Sequence, residues 1–194
     1  VDDASPEAKS FAIIAERNAS RLAGMLDDLA ELERIRAGNI VAQPERVDLA
    51  DVIDDVVFGE QSFAEQAKVE IRVEAGAAAV LADSALLKNL VGRVLGYAIQ
   101  MSSPGQPVSV RTTLHGDVAI VEIVDHGKPV PEDARESIFD CFSLVARRGT
   151  DTSARPGLNL ALARALADLL GATLTFASTD AGGTFTLALP PSAR

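Results

Sequence analysis

Few residues in this chain are equipped for chemistry. His115 and His126 are its two histidines and Cys141 its single cysteine, in 194 residues. His115 falls in His115-Gly116-Asp117, between two apolar runs, and His126 follows Asp125. Both read as solvated or locally bonded side chains rather than as ligands. One cysteine excludes an internal disulfide and a cysteine zinc cluster, and suits a reducing cytosol. No nucleophile–histidine–acid set and no metal-ligand cluster stands out. What remains is carboxylate and guanidinium chemistry. Asp125 lies behind the run VEIV and before Gly127, and reads as an aspartate that ends a strand and caps a turn. Arg147 and Arg148 lie in a polar stretch, Ser143 to Pro156, expected to be a mobile loop. Loop arginines of this kind contact a phosphate, a carboxylate or only water. Asp27, Asp28, Glu31 and Glu33 gather on one helix, either as a solvated outer face or as a docking surface.

The composition narrows the function classes. Lys and Arg total 18 against 28 Asp and Glu, a formal charge of −10. That argues against a nucleic-acid surface, which needs a basic face. With 47% hydrophobic and 24% charged residues the chain should fold. No apolar run is long enough to span a membrane, and no basic-then-apolar start marks a signal peptide. These features predict a cytoplasmic chain without membrane contact of its own. A chain opening on Val1 is expected to be a fragment or a processed form.

The elements that must position these residues follow from periodicity. Ser5 is a plausible N-cap for a long helix ending at Gly38-Asn39. Phe11, Ile14, Leu22, Met25, Leu29, Leu32 and Ile35 recur on it at three- and four-residue spacing, apart from a polar break at Asn18. Such a seam belongs to coiled coils and bundles and requires a partner helix. After a linker, Asp48 caps a helix carrying Val52, Ile53, Val56 and Val57. Lys68 to Val73 alternates like a half-buried strand, and Val80-Leu81 form a short one. Asp83 caps a helix with Leu86, Leu87, Leu90, Val91, Val94, Leu95 and Ala98 on its inner stripe. Strands near Val108–Leu114 and Val118–Val124 form a hairpin. A short helix is expected over Glu136 to Phe142 and another over Leu158 to Leu170. A hairpin around Ala181-Gly182-Gly183 closes the chain. This order predicts an α+β fold, a two-layer sandwich.

Several of these segments, in this order, resemble the sensor histidine kinases. DSALLKNLVGRVLGYAIQMS (Asp83 to Ser102) is similar to their N box without a gap. VDHGKPVP (Val124 to Pro131) resembles the first glycine box and SIFDCF (Ser137 to Phe142) the F box. PGLNLALARALADLLGATLTFASTDAGGTFTLALP (Pro156 to Pro190) resembles the second glycine box, last helix and terminal hairpin. Arg21 to Gly38 is similar to the second helix of the family's dimerisation hairpin. The resemblance implies the Bergerat ATP-binding fold, with an antiparallel sheet on one side and helices on the other. It divides the chain into residues 1–40, the second hairpin helix, and residues 41–194, the ATP-binding domain. It also implies a homodimer through the N-terminal helix, a response-regulator receiver domain as partner, and ATP with magnesium as ligand.

The family's nucleotide positions divide into retained and altered ones. Asp125, whose family counterpart accepts a hydrogen bond from the adenine amino group, is retained, with Gly127, Gly157 and Leu158. The two N-box asparagines, the second of which ligates magnesium in the family, align with Arg93 and Tyr97. The lysine that faces the phosphates aligns with Gln100. Pro129 and Asn159 replace one glycine of each glycine box. A phenol cannot replace an amide oxygen on Mg²⁺. Arg93 reads either as an ion-paired filler of the metal's place or as a surface arginine, and Tyr97 as core packing or a pocket plug. The phosphoacceptor histidine of the family has no counterpart here and is expected upstream of Val1. The expected function is a two-component signalling protein in degenerate form, a pseudokinase or a phosphotransfer-type scaffold that binds ATP–Mg²⁺ weakly or not at all. The alternatives are a divergent active kinase fragment and a serine-kinase-type anti-sigma relative.

Overall fold

The computed structural model describes residues 5–76, 78–143 and 158–190. Helix α1 (Pro6–Arg36) starts at Ser5, whose hydroxyl accepts from the Ala8 N–H at 3.2 Å. It stops at Gly38, φ +70°. There the Gly38 N–H reaches the Ile35 carbonyl and the Asn39 N–H that of Arg34, the paired bonds of a Schellman stop. Strand β1 (Glu45–Asp48), helix α2 (Leu49–Ala67), strands β2 (Glu70–Ala75) and β3 (Ala79–Ala82), and helix α3 (Ser84–Met101) follow. Asp48 and Asp83 cap α2 and α3 through their carboxylates. Next come β4 (Pro107–His115), β5 (Val118–Val124), helix α4 (Asn159–Leu169), β6 (Thr173–Thr179) and β7 (Gly182–Leu189).

β1 and β3 form a two-stranded antiparallel ribbon, and the other five strands a sheet in the order β2-β4-β5-β7-β6. The three shorter helices cover its inner face. Leu87, Leu90, Leu95 and Ile99 of α3 and Leu162 and Leu166 of α4 are buried with Val108, Val121, Ile123, Phe185 and Leu187 of the sheet. Each such side chain contributes about 1.5–3 kcal/mol by leaving water. Two details differ from the sequence-based expectation. The sheet is not wholly antiparallel, because β2 runs parallel to β4 from Glu70 opposite Pro107 to Ala75 opposite Thr112. The ribbon strand and α3 lie between them, a crossover that delivers the chain back in the same direction. The segment expected as one helix over Glu136 to Phe142 is a 3₁₀ turn, Glu136–Phe139, preceded by another, Glu132–Ala134. Asp140 is extended and Phe142 left-handed, φ +63°, so the helix cannot propagate.

The apolar seam of α1 divides between two faces. Met25, Leu32 and Ile35 pack into the core of the domain, where α1 lies against α4. Phe11, Ile14, Leu22 and Leu29 are exposed, together with Ile13 and Leu26.

Candidate functional site

Asp125 follows the last residue of β5 and is 3% exposed. Its Oδ1 accepts from the N–H groups of Gly127 at 2.8 Å and Gly183 at 3.2 Å, while its own N–H donates to the Gly183 carbonyl. One carboxylate thus ties the turn after β5 to the start of β7. The glycines it bonds are required by space. A Cβ on Gly127 would lie 2.5 Å from the Met101 carbonyl oxygen, and one on Gly183 would lie 2.5 Å from Asp125 Oδ2. Burial pushes the Asp125 carboxyl above its ordinary pKa, against the opposing pull of the two N–H groups. Tyr97, on α3, is buried with its ring edge-on to Phe185, centroids 5.6 Å apart. Burial, and then the Asp125 charge, push its phenol well up, so it stays neutral. Both are core groups as well as neighbours. Pro129 is exposed; beside it the Val130 N–H is held by Ser178 Oγ at 2.9 Å.

A second assembly lies one turn earlier on α3. The Arg93 side chain is 10% exposed and points at α1 and α4. Nη2 donates to Asp28 Oδ1 at 2.9 Å and Glu31 Oε2 at 3.0 Å. Nη1 donates to Asn159 Oδ1 at 3.1 Å and Nε to Asn89 Oδ1 at 2.8 Å. Asn89 in turn donates from Nδ2 to Glu31 Oε1 at 2.8 Å. One guanidinium, whose planar fork suits several acceptors at once, therefore joins three helices. Asn159 is the first residue of α4 and Leu158, buried at 1% exposure, its N-cap. A cleft of about 560 Å³ opens onto this cluster, lined by Lys88, Asn89, Arg93, Gln100 and Asn159 on one side and Glu60 and Phe63 of α2 on the other. Lys88 is bound at its mouth by Asp55, 2.6 Å away.

The structure thus separates the residues singled out in the sequence. Asp125, Gly127 and Tyr97 stand at one end of α3. Arg93, Gln100 and Asn159 stand in the cleft. Gly157, Arg147, Arg148 and nearly all of the loop Ser143 to Pro156 lie outside the described residues. The acidic group on α1 does not share one face. Asp27 and Glu33 are exposed, but the Asp28 and Glu31 side chains are 5% and 19% exposed and turn inward. Their spacing, three residues apart on the same side as Met25, Leu32 and Ile35, is the signal that could have placed them. Asn89 carried no such signal. His126 lies on the turn after β5, its Nδ1 2.8 Å from the Pro107 carbonyl oxygen. His115 ends β4 and is exposed.

The sequence model of the histidine kinase-, DNA gyrase B- and HSP90-like ATPases matches residues 82–193. This chain belongs to that family. Within it the similar proteins are sensor kinases. The sensor-like histidine kinase SenX3 of Mycolicibacterium smegmatis is 26% identical over 184 residues, covering 94% of this chain and 48% of that protein. The chain spans about half or less of the length of such relatives. Full-length ShkA, solved in complex with AMPPNP, superposes with a TM-score of 0.81 at 21% identity, covering 98% of this chain and 40% of that one. The histidine kinase ThkA, in complex with the response regulator protein TrrA, superposes at 0.76 and 20% identity, covering 99% of this chain and 53% of that one. The fold of this ATPase-family chain is thus the histidine-kinase Bergerat fold, preceded by a long helix. Among the described residues no helix is long and apolar enough to cross a membrane.

Proposed function

We propose that this chain is the ATP-binding unit of a two-component sensor protein in which the phosphate end of the nucleotide site has become a helix-docking site, leaving ATP–Mg²⁺ binding weak or absent. The observation that carries this reading is the engagement of Arg93 with Asp28 and Glu31 at 2.9 and 3.0 Å. A guanidinium already holding two carboxylates and two amide oxygens has little left for a phosphate. Its charge opposes a metal ion at the same place. Tyr97 adds a neutral phenol packed on Phe185 where an amide oxygen would be needed. These residues do not fit a magnesium-bound triphosphate, so no phosphoryl-transfer step is assigned to them. Losing two charge-assisted contacts of about 1.5–3 kcal/mol each would weaken binding roughly 100-fold or more.

Calorimetry with ATP, with and without Mg²⁺, tests the reading on the unaltered protein. The expected result is no magnesium-dependent binding in the micromolar range, with at most a weak, metal-independent affinity for adenosine or ADP through Asp125. A micromolar, magnesium-dependent Kd would instead support a divergent active kinase that phosphorylates a histidine upstream of Val1. Restoring the family residues with Arg93→Asn, Tyr97→Asn and Asn159→Gly is a poor substitute. It takes from Asp28 and Glu31 the cation they share and removes a core ring, the latter alone a change of about 3–5 kcal/mol.

The same reading makes residues 1–40 the second helix of a dimerisation hairpin and 41–194 the ATP-binding domain, in a cytoplasmic protein. The exposed Phe11, Ile14, Leu22 and Leu29 supply the seam for a homodimer. A response-regulator receiver domain is the natural partner of such a bundle. Light scattering on protein carrying both hairpin helices should give a dimer.

A further inference from the structure

The most unusual feature of the molecule is that two carboxylates of α1 occupy the acceptor positions of a nearly buried arginine at the head of a cleft. We propose that Asp28 and Glu31 act as an internal anionic ligand of Arg93, so that α1 is a reversible latch: docking of α1 and binding of a phosphate-bearing anion at Arg93 exclude one another. The inference rests on the reading of the phosphate end given above and adds its regulation.

The geometry carries it in three steps. Asp28 and Glu31 carry polar bonds from α1 to α3, where they meet Arg93 and Asn89. The Asp28 side chain is 5% exposed, so the contact is screened little by salt and either holds or opens as a unit. The apolar packing around it is limited to Met25, Leu32 and Ile35, while the amino-terminal half of α1 exposes Phe11, Ile13 and Ile14. The ion pairs therefore add a polar anchor, open to competition by an anion, to the apolar contacts of Met25, Leu32 and Ile35. The cleft that reaches Arg93 is lined by Lys88, Asn89, Gln100 and Asn159 and is large enough, at about 560 Å³, for a triphosphate. An anion entering there meets the guanidinium only if the α1 carboxylates have left it. Like charges compete for one cation.

The test uses the whole chain and inorganic triphosphate without metal, at low ionic strength, in a graded series: Glu31→Gln, Asp28→Asn, and both together. The amides keep an oxygen for Arg93, so packing is disturbed little, and the single variants carry the test if the double one does not fold. Titration calorimetry should find no measurable binding to the unaltered chain and a gain in association constant of at least tenfold in the double variant, with intermediate gains in the singles. Adding Arg93→Gln to the double variant should abolish the gain. In parallel, triphosphate should speed hydrogen exchange of the amides of residues 28–36 in the double variant by fivefold or more. A folded series with no gain overturns the latch, as does a gain that survives Arg93→Gln. Neither result touches the reading of the ATP site, which fails separately if the unaltered chain binds Mg–ATP at micromolar concentration.

Discussion

The carboxyl end and the middle of α3 hold two different kinds of polar site. At its carboxyl end lie Asp125 and Gly127, which the proposed function reads as retained nucleotide positions, with Gly183 bonded to them. At its middle, around Arg93, Asn89 and Asn159, stands the cluster that the proposed function reads as a replaced phosphate end. The difference is instructive because the retained group has a second occupation. The Asp125 carboxylate receives the N–H groups of Gly127 and Gly183 and so stitches β5 to β7. A side chain on Gly127 would collide with the Met101 carbonyl. Those residues would be kept by the fold whether or not a purine ever enters. The Arg93 position has no such tie to the sheet. Its side chain looks away from the sheet toward α1 and α4, so its partners are set by how those helices pack. On the proposed reading, a nucleotide motif persists at one place as architecture while the phosphate end serves a helix.

The largest effect should come from breaking the rebuilt end. Arg93→Met leaves Asp28 and Glu31 without their shared cation, and loss of one side of a buried ion pair costs about 3–5 kcal/mol. Urea denaturation should show that loss; a change below about 1 kcal/mol would mean the pair is not held in solution. The retained end should break by sterics rather than charge. Gly127→Ala places a methyl group 2.5 Å from the Met101 carbonyl oxygen, an overpacking of about 1–3 kcal/mol. Its thermal midpoint should fall accordingly, and added adenosine should restore none of it if the glycine serves the fold. Calorimetric titration with ATP compares the ends directly: whatever affinity remains should be insensitive to Mg²⁺ and lost in Asp125→Ala.

The smallest effect is the pH dependence of Asp125. Its pKa is raised in the folded protein by burial. The unfolded chain therefore gives up this proton first as pH rises from about 4. Stability from this group is full below that value and lost as pH climbs through the raised folded value. Asp125→Asn keeps an oxygen for both N–H donors and has no proton to lose. Its thermal midpoint should match or exceed that of the unaltered chain at pH 7, and the difference should close below about pH 4. A variant less stable than the unaltered chain at pH 7 would show that the charge itself holds the turn.

What the sequence settled by itself is what short-range rules decide. Ser5, Asp48 and Asp83 announce three helix starts because an N-cap is satisfied within three residues. Gly38 announces a stop because only a residue at ease with positive φ can take it. Ordered motifs from Asp83 to Pro190 were enough to predict the family fold, since each marks a local strand, turn or helix start. Long-range matters were not legible in this way. The parallel run of β2 beside β4 depends on how ribbon and helix cross the sheet. The division of the α1 seam into a packed and an exposed half depends on where α4 lies. Above all, spacing can put Asp28 and Glu31 on the inner side of α1, but nothing in sequence names a helix some sixty positions on as their partner. Arg93 itself left ion pair and surface arginine equally open. Charge attraction has no sequence range, only distance, and it is the tertiary structure that set Arg93 2.9 Å from Asp28.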